Sequence, residues 1–268
     1  MRCSPATAAS GNPCSTINLM IESFSFVTEA EWLAALRSAF LVLQREALAR
    51  RPILHVALSG GSTPGPFYRA LANEPLRWER IEWWMGDERY VPSHHPASNG
   101  RMANDNFAEA SDRFRFHPWN TELAPDEAAQ RYEGEMRESL GDPPAFDLIL
   151  LGLGSDGHTA SLFPGSPALG ETGRDAVAAP GPPPYEQRLT LTYPALDRAR
   201  EAWFLIGGGA KEEMVHRLLD GDEALPPTRI RCPVQKIFWL RAAPAAPPPD
   251  LSPSEEEGNP CQSVFIRG

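Results

Sequence analysis

Only four of the 268 residues are cysteine, and none of them (Cys3, Cys14, Cys232, Cys261) falls in a CxxC pair. A zinc cluster needs such pairing, and disulfide frameworks belong to much smaller secreted chains, so ordinary thiols in a reducing cytosol are expected. No run approaches the roughly 18 apolar residues that a membrane-crossing helix requires. The opening MRCSPATAASGNPCSTINL has no continuous apolar core, so no signal peptide is expected and the address read here is cytoplasmic. Basic residues are in deficit too: 25 Lys plus Arg stand against 35 Asp plus Glu, a formal charge of −10. That argues against the basic stripe of a nucleic-acid binder. It also means that cations gripping an anionic ligand must act locally, against an unfavourable overall field.

What is present reads as one domain between two tails. Residues 1–18 are small, polar and Pro/Ser-rich, a flexible N-terminal segment. Residues 244–268 form a Pro-rich acidic C-terminal tail, with six prolines and three consecutive glutamates before a closing VFIRG that could dock as a strand. Between them, 19–243 alternates helix and strand signals. Thr28-Glu29-Ala30-Glu31 is a capping box, followed by Trp32, Leu36, Phe40, Leu43 and Ala47 at helical spacing. Further helices are expected over 64–73, from about Ser98, over 125–140 and after the glycines at 207–209. Strands are expected at ILHVAL (53–58), IEWWM (81–85), RFRF (113–116), FDLILL (146–151), RLTLTY (188–193, half-exposed), EAWFLI (201–206) and QKIFWL (235–240). The alternation predicts an α/β fold: a mainly parallel, doubly wound, Rossmann-like sheet with helices on both faces. Ligands of such sheets bind beyond the carboxyl ends of the strands. Four stretches with unusual residues lie there: 59–63, 86–89, 152–158 and 207–211.

In SGGSTP (59–64), Gly60 and Gly61 allow close backbone approach, Ser62 and Thr63 add hydroxyls, and a helix N-terminus follows; this suits a phosphate. In GDERYVP (86–92), Arg89 could grip phosphate or a sugar oxygen, while Asp87 and Glu88 could hold Arg89, bond hydroxyls or act as acid/base groups. His94 and His95 lack the spacing of a helical metal site and read as exposed loop residues. Lys211 adds a point charge at a helix start, with Glu212 and Glu213 placed to neutralise part of it. GLGSDGHTASLF (152–163) sets His158 in a glycine-rich turn after a buried strand, where a neutral imidazole can take a proton from water. Asp156 could orient its ring or contact substrate. Thr159 and Ser161 could cap a following helix. No cysteine lies near and no GxSxG elbow is present.

Taken in order, SGGSTP, GDERYVP with Ser98-Asn99, LGLGSDGHTASLFPGS, RLTLTYPAL and GGGAKEEM resemble the 6-phosphogluconolactonases over about residues 24–241. The related glucosamine-6-phosphate deaminases share the DGH core but not Thr159-Ala160-Ser161-Leu162-Phe163 or Arg89. The resemblance implies hydrolysis of 6-phospho-D-glucono-1,5-lactone without cofactor or metal. The alternatives are an amino-sugar phosphate deaminase/isomerase and a non-catalytic sugar-phosphate sensor. It assigns His158, Asp156 and Arg89 to catalysis. Gly60, Gly61, Ser62, Thr63, Asp87 and Lys211 would bind substrate, and Gly152, Gly154 and Gly157 are oxyanion candidates. The expected partner is a small sugar-phosphate lactone, not nucleic acid or membrane, and a monomer is expected. Two departures stand away from these motifs: Arg241 replaces a common aspartate, and LPPTRIR (225–231) lacks the usual small residues after its first proline.

Overall fold

The computed structural model describes residues 20–241; the segments read as tails, and the strand suggested for VFIRG, lie outside them. The strands are β1 (Met20–Phe26), β2 (Leu54–Leu58), β3 (Ile81–Met85), β4 (Asp87–Arg89), β5 (Phe116–His117), β6 (Leu148–Leu151), β7 (Ala176–Pro180), β8 (Gln187–Leu191), β9 (Glu201–Gly207) and β10 (Val234–Leu240). The helices are α1 (Glu29–Leu48), α2 (Gly65–Ala72), α3 (Asn99–Asn106), α4 (Pro125–Leu140), α5 (Tyr193–Arg198) and α6 (Glu212–Leu219).

Seven strands form a parallel sheet in the order β1-β10-β9-β6-β2-β3-β5. From β2 the chain steps outward to β3 and β5. It then returns to β6, on the other side of β2, and steps the opposite way to β9 and β10. That reversal opens a crevice at the carboxyl ends of β2 and β6, the position where sheets of this kind bind ligands. Helices cover both faces, and two adjacent tryptophans of β3 show it. Trp83 stacks on Phe40 of α1 with ring centroids 5.7 Å apart, and Trp84 meets Tyr132 of α4 at 5.6 Å. Neighbouring strand residues point to opposite faces, so α1 and α4 lie on opposite sides. The capping box of α1 forms as its sequence implies: Thr28 Oγ1 accepts the Glu31 N–H, and the Glu31 carboxylate accepts the Thr28 N–H.

Beside the main sheet stands a small antiparallel one, β4-β8-β7, which the sequence reading did not separate. The strand expected at 188–193 as half-exposed is instead β8, with Arg188 7% exposed and Leu189, Thr190 and Leu191 at 0%. Both of its faces are packed, so its polar–apolar alternation marks two kinds of interior rather than interior and solvent. Tyr193 then opens α5 instead of ending the strand. The strand expected at 113–116 shrinks to Phe116–His117. Strands β1, β4 and β7 were not anticipated.

Candidate active site

Two buried tyrosines fix the strand ends that border the crevice. The Tyr68 hydroxyl of α2 accepts the Ser59 N–H and donates to the Ser59 carbonyl, both at 2.9 Å. The Tyr132 hydroxyl of α4 accepts the Met85 N–H at 2.8 Å and donates to its carbonyl at 3.0 Å. Burial pushes the pKa of both phenols up, so they stay protonated and able to donate. Between these anchors the backbone at 59–64 turns into α2. Its N-cap, Pro64, offers no side-chain hydrogen bond to the first turn. Among the described residues, the N–H groups of Gly60, Gly61, Ser62 and Thr63 have no protein acceptor. They line the cavity, next to the positive end of the α2 dipole. Gly60 is needed for a reason the sequence did not reveal: a Cβ there would overlap the Asn99 side chain.

Asn99 organises the next loop. Its Nδ2 donates to the Asp87 carbonyl at 2.9 Å, and its Oδ1 accepts from Arg89 Nη1 at 2.5 Å. Arg89 also donates to the Ala97 carbonyl at 3.1 Å. Glu88, only 3% exposed, is occupied structurally. Its carboxylate accepts the N–H groups of Asn99 and Gly100, both at 2.7 Å, that of Arg89 at 2.8 Å, and the Ser98 hydroxyl at 3.0 Å. Burial nonetheless raises its pKa against those donors. Glu88 therefore caps α3 from outside the helix and holds Asn99 in place, while Arg89 and Asp87 reach the cavity.

The histidine loop follows β6. His158 Nδ1 lies 2.5 Å from Asp156 Oδ1, and the His158 N–H donates to the same oxygen at 3.2 Å. Partial burial opposes charge on Asp156, but the hydrogen bonds from His158 outweigh it and hold this carboxyl below its usual range. An ionised carboxylate requires a donor, so Nδ1 carries a proton, and in the neutral ring the lone pair lies on Nε2. The ring packs so closely over Gly154 that a Cβ there would overlap His158 Nδ1. Two oxyanion candidates are corrected here. The Gly154 N–H donates to the His158 carbonyl at 2.8 Å and the Gly157 N–H to the Gly154 carbonyl at 3.1 Å, so the turn itself consumes both donors. Gly152 lines the cavity, and among the described residues its N–H has no protein acceptor.

No helix follows His158, contrary to the capping roles expected for Thr159 and Ser161. Thr159 Oγ1 donates to the Gly152 carbonyl at 2.9 Å, and Ser161 Oγ donates to Asp87 Oδ2 at 2.6 Å. These bonds tie the histidine loop to β6 and to the GDER loop. Lys211 ends a 3-10 turn, Gly209–Lys211, after β9 and lines the same cavity. Burial lowers its pKa. Glu212 turns away to Arg241 at 3.6 Å, which gives a place to the unexpected arginine and leaves Lys211 less neutralised than its neighbours suggest.

Together, loop 59–63, Arg89, His158 and Lys211 border a cavity of about 230 Å³. A second chamber of about 240 Å³ adjoins it, sharing Asp87, Arg89 and His158 and adding Asp156, Phe163 and Arg188. A profile described as glucosamine-6-phosphate isomerases/6-phosphogluconolactonase matches residues 27–239. The chain belongs to that family. Among curated members, the 6-phosphogluconolactonase of Synechocystis sp. is 43% identical over 204 residues, 73% of this chain and 84% of its own. That of Nostoc sp. is 35% identical over 220 residues, 78% of this chain and 91% of its own. Among solved structures, the 6-phosphogluconolactonase from Thermotoga maritima superimposes with a TM-score of 0.73 at 28% identity, covering 83% of this chain and 99% of that one. The Trypanosoma brucei structure gives 0.69 at 29%, covering 84% and 97%. Within this family member, Asn99 and Ser161 as organisers and Arg188 as a cavity residue escaped the sequence reading. Asn99 had a signal in the Ser98-Asn99 pair; Arg188 had only its place at the head of RLTLTYPAL, and a strand arginine otherwise reads as solvent-facing.

Proposed function

We propose that this chain hydrolyses 6-phospho-D-glucono-1,5-lactone to 6-phospho-D-gluconate, the second step of the oxidative pentose phosphate pathway, with His158 as general base. The observation that carries the reading is the His158–Asp156 pair, which leaves Nε2 basic in a residue bordering a cavity with cations on either side. The names of the relatives support the same substrate. Loop 60–63 and Lys211 grip the phosphate at one end, which fixes the lactone carbonyl near His158. Water oxygen adds to C1 while its proton passes to Nε2; Asp156 stabilises the imidazolium that forms. Arg89 and the Gly152 N–H answer the charge on the carbonyl oxygen. The tetrahedral centre collapses by breaking the bond from C1 to the ring oxygen, which takes the proton back from Nε2. The acid released then ionises to solvent.

The test runs two assays on one sample. Hydrolysis of fresh lactone, corrected for spontaneous opening, is expected; ammonia release from glucosamine 6-phosphate is not. His158→Ala is expected to lower kcat by about 10²- to 10⁴-fold, and a variant that kept wild-type kcat would sink the assignment. Lys211→Ala is expected to act mainly on KM, as lost phosphate binding would.

A further inference from the structure

Arg188 is 7% exposed, yet among the described residues its guanidinium has no ion-pair or hydrogen-bond partner, and its buried Nε is left unsatisfied. Its register partner across the β4–β8 ladder is Arg89. Like charges directly opposite on neighbouring strands repel, and an unpaired buried guanidinium is costly to keep. The nearby carboxylates attract it and offset part of that cost, but their oxygens are bonded elsewhere. Asp87 is bonded to Ser161 and Asn99, and Glu88 to α3. What holds the side chain is aromatic and steric: the guanidinium lies 5.6 Å from the Phe163 ring centroid and 6.0 Å from that of Tyr185. Position 181 is glycine, where a Cβ would come 2.5 Å from Arg188 Nε. The fold thus makes room for a charge to which, among the described residues, it bonds no carboxylate.

Phe163 also packs against His158, ring centroids 4.5 Å apart, so Arg188 and the histidine flank one aromatic ring. The cavity then has cations at two ends: Lys211 with the 59–63 loop in one chamber, and Arg188 in the other. Arg89 and His158 are common to both. A substrate with phosphate at C6 and a carbonyl at C1 carries its two charge-bearing groups at opposite ends as well.

We propose that Arg188, with Arg89, forms a second anion subsite that takes the C1 end of the ligand: the carbonyl oxygen as charge builds on it, and the carboxylate of the product. This rests on the lactonase reading. It makes Arg188 a binding residue for the carboxyl group, not for the phosphate.

The test compares two ligands on the full chain by calorimetry: 6-phosphogluconate, which carries the carboxylate, and glucitol 6-phosphate, which has a hydroxymethyl group in its place. The wild type is expected to prefer 6-phosphogluconate. Arg188→Met is expected to weaken 6-phosphogluconate by about 10- to 100-fold, the effect of losing a charge-assisted hydrogen bond. Glucitol 6-phosphate is expected to stay within about twofold, because its phosphate contacts are untouched. Without ligand, the Tm of Arg188→Met should equal or exceed that of the wild type, since a buried repulsion is removed. Arg188→Lys keeps the charge and should keep part of the preference. Equal weakening of both ligands would overturn the proposal by assigning Arg188 to the phosphate. Unchanged affinities with a lowered Tm would overturn it by leaving Arg188 a structural strut. A wild type that bound neither compound and left the lactone intact would overturn the lactonase reading itself.

Discussion

His158 is held by two local features, and each makes a different expectation. Asp156 keeps the ring proton on Nδ1, so Asp156→Asn should leave KM nearly unchanged while kcat falls by about 10²-fold or more, as loss of tautomer control does elsewhere. An unaltered kcat would remove Asp156 from the mechanism. Gly154→Ala would push the ring aside, because a Cβ and the ring would share one place. Since His158 is 32% exposed it can yield cheaply. Thermal stability should therefore change little, while kcat drops by about 10²-fold, the usual scale for a displacement near 1 Å. At this scale the residues lining the cavity were legible: His158, Arg89 and Lys211 lie at or beyond strand ends, where the fold class says ligands sit. What the glycines do was not legible. Gly60 makes way for Asn99, a residue 39 positions on, and Gly154 and Gly157 close a turn with the N–H groups that looked available. A sequence shows where backbone is free to bend, but not which acceptor it bends toward.

Helices and strands meet the site through few bonds. The Tyr68 hydroxyl satisfies both backbone groups of Ser59, so Tyr68→Phe strands a buried N–H and C=O. The expected result is a loss of about 2 kcal/mol in urea unfolding, together with a raised KM from a loosened 59–63 loop. A variant with lowered stability and unchanged KM would show that the tyrosine supports the sheet and not the loop. Element legibility divides along similar lines. α1 was readable because the capping box and the buried stripe Trp32, Leu36, Phe40 agree. β4 has three residues and is sited by its partner β8, and β7 is sited by β8 as well; strands defined by distant pairing leave little local pattern. β1 is a polar-flecked edge strand, MIESFSF, whose residues from Ile21 to Ser25 are exposed.

Across the whole molecule, stability carries a pH signature separate from catalysis. His55 of β2 and His117 of β5 flank Glu82 of β3 at 3.6 and 3.5 Å. Burial lowers both pKa values below the ordinary 6.5, despite the attraction of Glu82 and of Asp147 and Glu135 nearby; Arg115 adds to the lowering at His117. Below about pH 6.5 the unfolded chain then binds more protons than the folded one. The stability these two residues contribute is complete above that pH and is lost as pH falls through their lowered folded values. The urea midpoint should decline on that descent, and a His55→Gln, His117→Gln double variant should decline less steeply. Equal slopes would exclude the pair as the cause. Alternation of elements disclosed the sheet class, but the strand order that places β2 beside β6 could not be read from local pattern. That order has a consequence for biosynthesis. The sheet neighbour of β1 is β10, synthesised about 200 residues later. A nascent chain can assemble β2, β3, β5 and β6, and with them the crevice. It must carry Phe24 and Phe26 on an unpaired strand until the ribosome has delivered β10, so that strand is the segment a chaperone would find open for longest.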